Sequence, residues 1–248
     1  MKIFLTSSPG GSFKDEYGVR IPCKMDDSNQ FLLKLAQYWP RKANCLVIAS
    51  DPDNIIVNDT LKSVFPESFW ESGLPFQNLE ILDRRNEEKV DELLHDSNVI
   101  ILAGGHVPTQ NQFFHRIGLK EKLRTYAGIL IGISAGSMNC AQTVYAQPEE
   151  PGEAVDPSYQ RYLQGLGLTS VRILPHYQYL KNLELDGLRI LEDICIPDSK
   201  TMDFYALVDG SYLFIDDDGS TAIYGESYLF RDGAMQMVSK KDEVKELF

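Results

Sequence analysis

Short runs of consecutive apolar residues alternate along the chain with longer stretches whose apolar positions recur every three or four residues. The runs Cys45-Leu46-Val47-Ile48-Ala49 and Val99-Ile100-Ile101-Leu102-Ala103 have no polar alternation. Strands buried on both faces read this way, as in a parallel sheet covered by helices. The pattern predicts strands over Lys2–Ser7, Asn44–Ser50, Leu79–Asp83, Asn98–Ala103, Gly128–Ser134 and Val171–Leu174. Between them it predicts helices over Asp27–Tyr38, Asn58–Phe65, Glu87–His95, Thr109–Phe114 and Asn182–Asp193. Such alternation implies right-handed βαβ crossovers, and so an α/β fold with a doubly wound, mainly parallel sheet flanked by helices.

The last quarter changes character. Phe204–Val208, Ser211–Ile215, Thr221–Tyr224 and Ser227–Phe230 are short strand-like runs parted by Gly-containing turns, which predicts a C-terminal antiparallel meander. Asp216-Asp217-Asp218-Gly219 reads as a hairpin turn, because a calcium loop would need a ligand where Phe214 stands. Lys240–Phe248 alternates in charge and is expected as a solvated helix or tail. Gln147–Tyr159 is a polar loop with three prolines, long enough to suggest function. With no repeat and no linker of disordered composition, one domain over residues 1–248 is the simplest organisation.

Composition narrows the partners. Apolar residues at 43% and charged residues at 24% are those of a soluble globular protein. The net charge of −12 opposes nucleic-acid binding and disfavours anionic membranes. A locally basic pocket for a small acidic substrate is still compatible with it. No apolar run approaches the roughly 18 residues of a membrane span, and the N-terminal run is too short for a signal peptide, so a cytoplasmic location is expected. Cys23, Cys45, Cys140 and Cys195 form no CxxC pair and are expected as free thiols. No metal-ligand cluster and no cofactor motif stands out.

The chemistry concentrates at Gly132-Ile133-Ser134-Ala135-Gly136. This G-x-S-x-G follows an apolar strand and precedes a helix-compatible segment. A nucleophilic serine needs a strained strand-to-helix turn that exposes its oxygen, and side chains two positions either side would collide there. The helix start offers free N–H groups, and that of Ala135 is placed to stabilise an oxyanion. A Gly-rich tight turn or a phosphate-binding turn is the competing reading. Ser7-Ser8-Pro9-Gly10-Gly11-Ser12, after the first strand, lacks the lysine of a P-loop and is expected to rim the site.

A serine nucleophile needs a base. His95 reads as a helix C-terminal residue, and His115 as a packed or exposed helical one. His106 follows Gly104-Gly105 and is placed to line a pocket. His176 comes just past the strand Val171–Leu174, at the sheet edge expected for Ser134, and is the candidate base. The imidazole in turn needs a carboxylate. Glu149, Glu150, Glu153 and Asp156 all lie in the polar loop, and position alone does not choose among them. The Gly104-Gly105 turn lets the main chain approach closely, so the Gly105 N–H is the second oxyanion donor expected.

Assembled, these residues resemble the peptidase E family of serine dipeptidases, which includes cyanophycinase-like enzymes. The matching pieces are Thr6-Ser7-Ser8, Leu102-Ala103-Gly104-Gly105, Gly132–Gly136, Gly165-Leu166-Gly167-Leu168 and Pro175-His176-Tyr177, in the family's order over most of the chain. The resemblance implies a class I glutamine amidotransferase-like fold with Ser134 in place of the nucleophilic Cys. It implies His176 as base and, about fifteen residues past the serine, Glu149 as the acid, where the family's usual residue is Asp. Gly104, His106 and Tyr177 become substrate-binding candidates, with His106 standing where Asn is common. Asp186 falls where aspartyl dipeptidases carry the Arg that binds the substrate's aspartate. Lys181 and Arg189 are the nearby cations.

The expected function is thus a serine exopeptidase acting on short peptides, N-terminal Asp included, through an acyl-enzyme on Ser134. An esterase or amidase on another acyl substrate, and a non-catalytic small-ligand-binding protein, are the alternatives. A short peptide or other small acyl compound is the expected partner, with no nucleic acid and no membrane. Homo-oligomerisation stays open.

Overall fold

The computed structural model describes residues 1–247, so Phe248 lies outside the described residues. The first strands are β1 (Lys2–Thr6), the hairpin β2 (Gly10–Lys14) and β3 (Arg20–Met25), then β4 (Asn44–Ile48) and β5 (Asn78–Leu82). They are followed by β6 (Val99–Leu102), β7 (Ile129–Ile133), β8 (Thr143–Tyr145), β9 (Tyr162–Gln164) and β10 (Ile173–Leu174). The C-terminal part adds β11 (Glu184–Leu185), β12 (Leu188–Arg189), β13 (Phe204–Leu207) and β14 (Tyr212–Ile215). It closes with β15 (Thr221–Tyr224), β16 (Ser227–Arg231), β17 (Ala234–Ser239) and β18 (Val244–Glu246).

An eight-stranded sheet runs β18-β15-β14-β1-β7-β6-β4-β5. Its β1, β7, β6, β4 and β5 are mutually parallel, while β14, β15 and β18 add antiparallel neighbours. The continuous apolar runs are explained by burial on both faces. Leu46, Ile48, Ile100, Leu102 and Leu130 enter one core cluster, and Cys45, Val47, Val99, Ile101 and Ile131 the opposite one. The first cluster is closed by α3 (Val90–Asp96) and α4 (Val107–Arg116), the second by α1 (Phe31–Ala36) and α2 (Ile55–Glu71). Among the described residues no helix is long and apolar enough to cross a membrane. All four cysteines are free, with Cys45, Cys140 and Cys195 buried.

The expected C-terminal meander is instead divided between two sheets. β14 and β15 form a hairpin on the main sheet, turning at the Asp216–Gly219 segment. β13 and β16 pair with each other in a second sheet of order β10-β13-β16-β17. β14 is buried on both faces and β15 on one, so the hairpin belongs to the main core, and the flanking strands pair with one another around it. Sequence periodicity does not report which sheet a strand joins.

The expected helix over 182–193 is also corrected. Asp186 and Gly187, with φ of 54° and 81°, make the turn of the β11–β12 hairpin, and helix begins only after it, as a wide turn at Ile190–Cys195 continued by Ile196–Asp198. Two consecutive left-handed residues suit a tight hairpin and cannot continue a helix. The tail expected over Lys240–Phe248 instead supplies β18, an edge strand against β15.

Candidate active site

Three neighbouring parallel strands end at one place. β1 leads into Ser7, β6 into Gly104 and Gly105, and β7 into Ser134, all at carboxyl ends where α/β sheets bind ligands. Ser134 has φ 50° and ψ −112°, a conformation rarely tolerated by a residue with a Cβ. The local sequence makes that strain sustainable. A Cβ on Gly132 would sit 2.8 Å from Ser137 N and Cα, and one on Gly136 would collide with the Leu102 carbonyl. The turn is tied to β1, because Ser134 N and Ser137 Oγ both donate to the Thr6 carbonyl, at 3.1 and 2.8 Å.

The second sheet carries the rest. β10 and β13 are parallel neighbours with Leu174 opposite Ala206. His176 lies two residues past Leu174 and Asp209 three past Ala206, so adjacent strand ends bring them together. His176 Nε2 lies 2.9 Å from Ser134 Oγ, and its Nδ1 lies 2.8 Å from Asp209 Oδ1. With the Nδ1 proton directed at the carboxylate, Nε2 is left to accept from the serine hydroxyl. His176 therefore reaches Ser134 from the second sheet, not from the same sheet edge as expected.

Ser7 joins the two sheets. Its buried Oγ accepts from His176 N at 2.7 Å and meets Asp209 Oδ1 at 2.7 Å, with the Leu207 carbonyl a second acceptor at 3.2 Å. Asp209 N donates to Gln178 Oε1 at 3.1 Å. Burial alone would raise the Asp209 pKa. Hydrogen bonding and the charge of His176, with the Ser7 contact, outweigh that and hold it below the usual carboxylate value.

Glu149 is not the carboxylate that meets the histidine. Its Oε2 accepts from Val107 N at 3.3 Å and its Oε1 from Gln147 Nε2 at 3.0 Å. Burial pushes its pKa up to about 7, against partial relief from the Val107 N–H and the charge of His106. Glu153 bonds His106 Nε2 at 2.9 Å and receives the N–H groups of Glu149 and Glu150, while Glu150 itself is exposed. Asp156 caps Ser158. The carboxylates of the polar loop thus organise that loop and its seat on α4. Asp209 was hidden because Val208-Asp209-Gly210 reads as an ordinary turn between strands. The signal that finds it is the pairing of β10 with β13, which a single sequence does not display.

The other expected residues divide. Gly104 and Gly105 line the Ser134 cleft, and a Cβ on Gly105 would collide with Ser50. Among the described residues, the N–H groups of Gly105 and Ala135 have no hydrogen-bond partner in turns or loops and remain free for a ligand. His106 is engaged by Thr109 and Glu153 and does not line that cleft. Tyr177 stacks on Tyr228 with centroids 4.1 Å apart and does not line the cleft. Asp186 accepts from Gly152 N and Ala154 N, so the position expected to read a substrate charge anchors the polar loop instead. Arg189 is paired with Asp193, and Lys181 is exposed. The Ser7–Ser12 segment does rim the cleft, and its second half is the start of the β2–β3 hairpin.

A family model for peptidase family S51 matches residues 57–223. The chain belongs to peptidase family S51. A crystal structure described as that of a "Putative Peptidase E Protein from Listeria monocytogenes EGD-e" superposes with a TM-score of 0.56 over 96% of this chain and 98% of that one. At 15% identity this likeness concerns the fold, an α/β arrangement shared along the whole chain. Among curated proteins none matches. The S51 match spans Gly104-Gly105, the Ser134 turn and His176, and also Asp209.

Proposed function

We propose that this S51 peptidase is a serine exopeptidase hydrolysing short peptides through an acyl-enzyme on Ser134. The observation that carries the reading is the unbroken chain from Ser134 Oγ through His176 to Asp209, with contacts of 2.9 and 2.8 Å at a strained elbow. His176 takes the hydroxyl proton as Ser134 attacks the peptide carbonyl. The Gly105 and Ala135 N–H groups hold the oxyanion, and His176 returns the proton to the leaving amine. Water, deprotonated by the same imidazole, then releases the acyl group. Asp209 keeps the imidazole in the working tautomer and stabilises its cation. The short-peptide substrate is supported by membership of a peptidase family and by a cleft of about 890 Å³, in the range of small-ligand sites.

Labelling with a neutral fluorophosphonate, followed by peptide mapping, tests the nucleophile. The expected result is one adduct on Ser134, absent in Ser134→Ala. A folded protein that takes no label overturns the serine mechanism. Hydrolysis of a dipeptide panel in preference to aryl esters and simple amides is expected from a peptidase. Ester cleavage alone would refute the peptide substrate and leave the nucleophile standing.

A further inference from the structure

The cleft that opens onto Ser134 is walled on one side by the β2–β3 hairpin, and two cations stand there. Lys14 ends β2 and Arg20 begins β3, and the two are direct cross-strand partners. Paired residues in an antiparallel ladder point to the same face, and like charges so placed repel. Neither forms an ion pair among the described residues. Arg20 Nη1 has a hydroxyl, Ser12 Oγ at 2.8 Å, and no carboxylate. The nearest acid in sequence, Asp15, is occupied in capping Tyr17 N and Val19 N. Both cations line the Ser134 cleft, and no Asp or Glu is among its lining residues. In a chain of net charge −12 this is a local reversal of sign. The facing wall is α2, which presents Val57, Leu61 and Phe65 interleaved with the uncharged polar side chains of Asn58, Thr60 and Ser63.

We propose that Lys14 and Arg20 form an anion subsite that binds a carboxylate of the peptide substrate, with an apolar side chain seated against α2. A carboxylate between the two cations relieves their repulsion and is held by charge-assisted hydrogen bonds. The hairpin thereby does the charge reading that Asp186, bound to the polar loop, does not. This rests on the peptide substrate proposed above.

Calorimetry on Ser134→Ala protein, which cannot turn peptides over, separates binding from chemistry. Three matched pairs locate the carboxylate: Asp-Leu-amide against Asn-Leu-amide, Leu-Asp-amide against Leu-Asn-amide, and Leu-Leu against Leu-Leu-amide. In at least one pair the acid is expected to bind ten-fold or more tighter. Adding Lys14→Gln and Arg20→Gln together brings that ratio to about one. The same pair of substitutions removes a repulsion, so the melting temperature does not fall. Equal affinity within every pair, no detectable binding of any peptide, or a preference that survives both substitutions overturns the proposal. Binding with this preference in a protein whose wild type cleaves no peptide would instead refute the peptidase reading and keep the anion subsite.

Discussion

Replacing Asp209 by Asn tests the relay most directly. The substitution keeps size and shape, removes the charge, and allows the amide to present an N–H where His176 Nδ1 needs an acceptor. In the transition state His176 is a cation 2.8 Å from Asp209 Oδ1. With charge centres about 4 Å apart and an effective dielectric near 20, the attraction is about 4 kcal/mol. The Asp209 side chain is 37% exposed, so solvent screening reduces this to about 3 kcal/mol. That corresponds to roughly a hundred-fold in rate, and loss of the working tautomer adds about another ten-fold. Steady-state kinetics on a cleaved dipeptide should therefore show kcat lower by about 10³ with KM changed little. Glu149→Gln, assayed in parallel, should stay within about ten-fold of wild type, because Glu149 does not touch the imidazole. A kcat for Asp209→Asn within ten-fold of wild type, or a Glu149→Gln loss exceeding that of Asp209→Asn, would refute the assignment.

Ser7→Ala leaves the half-buried His176 N–H without its acceptor, at a cost of about 1–2 kcal/mol. A melting temperature lower by several degrees is expected, with kcat falling more than KM rises, and an unchanged kcat would show that Ser7 does not position the histidine. Glu149 gives a pH signature in stability. Its folded pKa of about 7 lies above the ordinary 4.5, so the folded state binds the proton more tightly. Its contribution is complete below about 4.5 and is lost as pH rises to about 7, an effect on the order of 3 kcal/mol. Denaturant unfolding should show wild type losing stability over that window relative to Glu149→Gln, and parallel curves for the two proteins would sink the assignment.

Hydrophobic patterning found the parallel core because its strands are buried on both faces and carry no polar alternation to confuse with a helix. It finds the strand-to-helix turn at Ser134 because the glycine requirement at Gly132 and Gly136 is local. It placed His176 on the wrong sheet, since strand partners are set by pairing and not by periodicity. The carboxylate that contacts His176 escapes the sequence for the same reason. Glu149 is close to Ser134 in sequence, whereas Asp209 reaches His176 through the β10–β13 register. The β11–β12 hairpin was missed because helical spacing of apolar residues persists across Asp186-Gly187, where the backbone reverses. The charge pair Lys14 and Arg20 was unreadable until the β2–β3 register set them opposite each other.

Ser134 and the free N–H groups belong to the eight-stranded sheet, and His176 and Asp209 to the four-stranded one, with Ser7 between them. The site is therefore an interlock that closes only while the two sheets keep their relative position. A shift of about 1 Å at the seam breaks the contact between Nε2 and Oγ while every strand keeps its own hydrogen bonds. Opening that seam requires no strand pair to break, so the site can come apart under heat or denaturant before either core unfolds. Substitutions that tighten the junction around Ser7 would raise operational lifetime without touching a reacting atom.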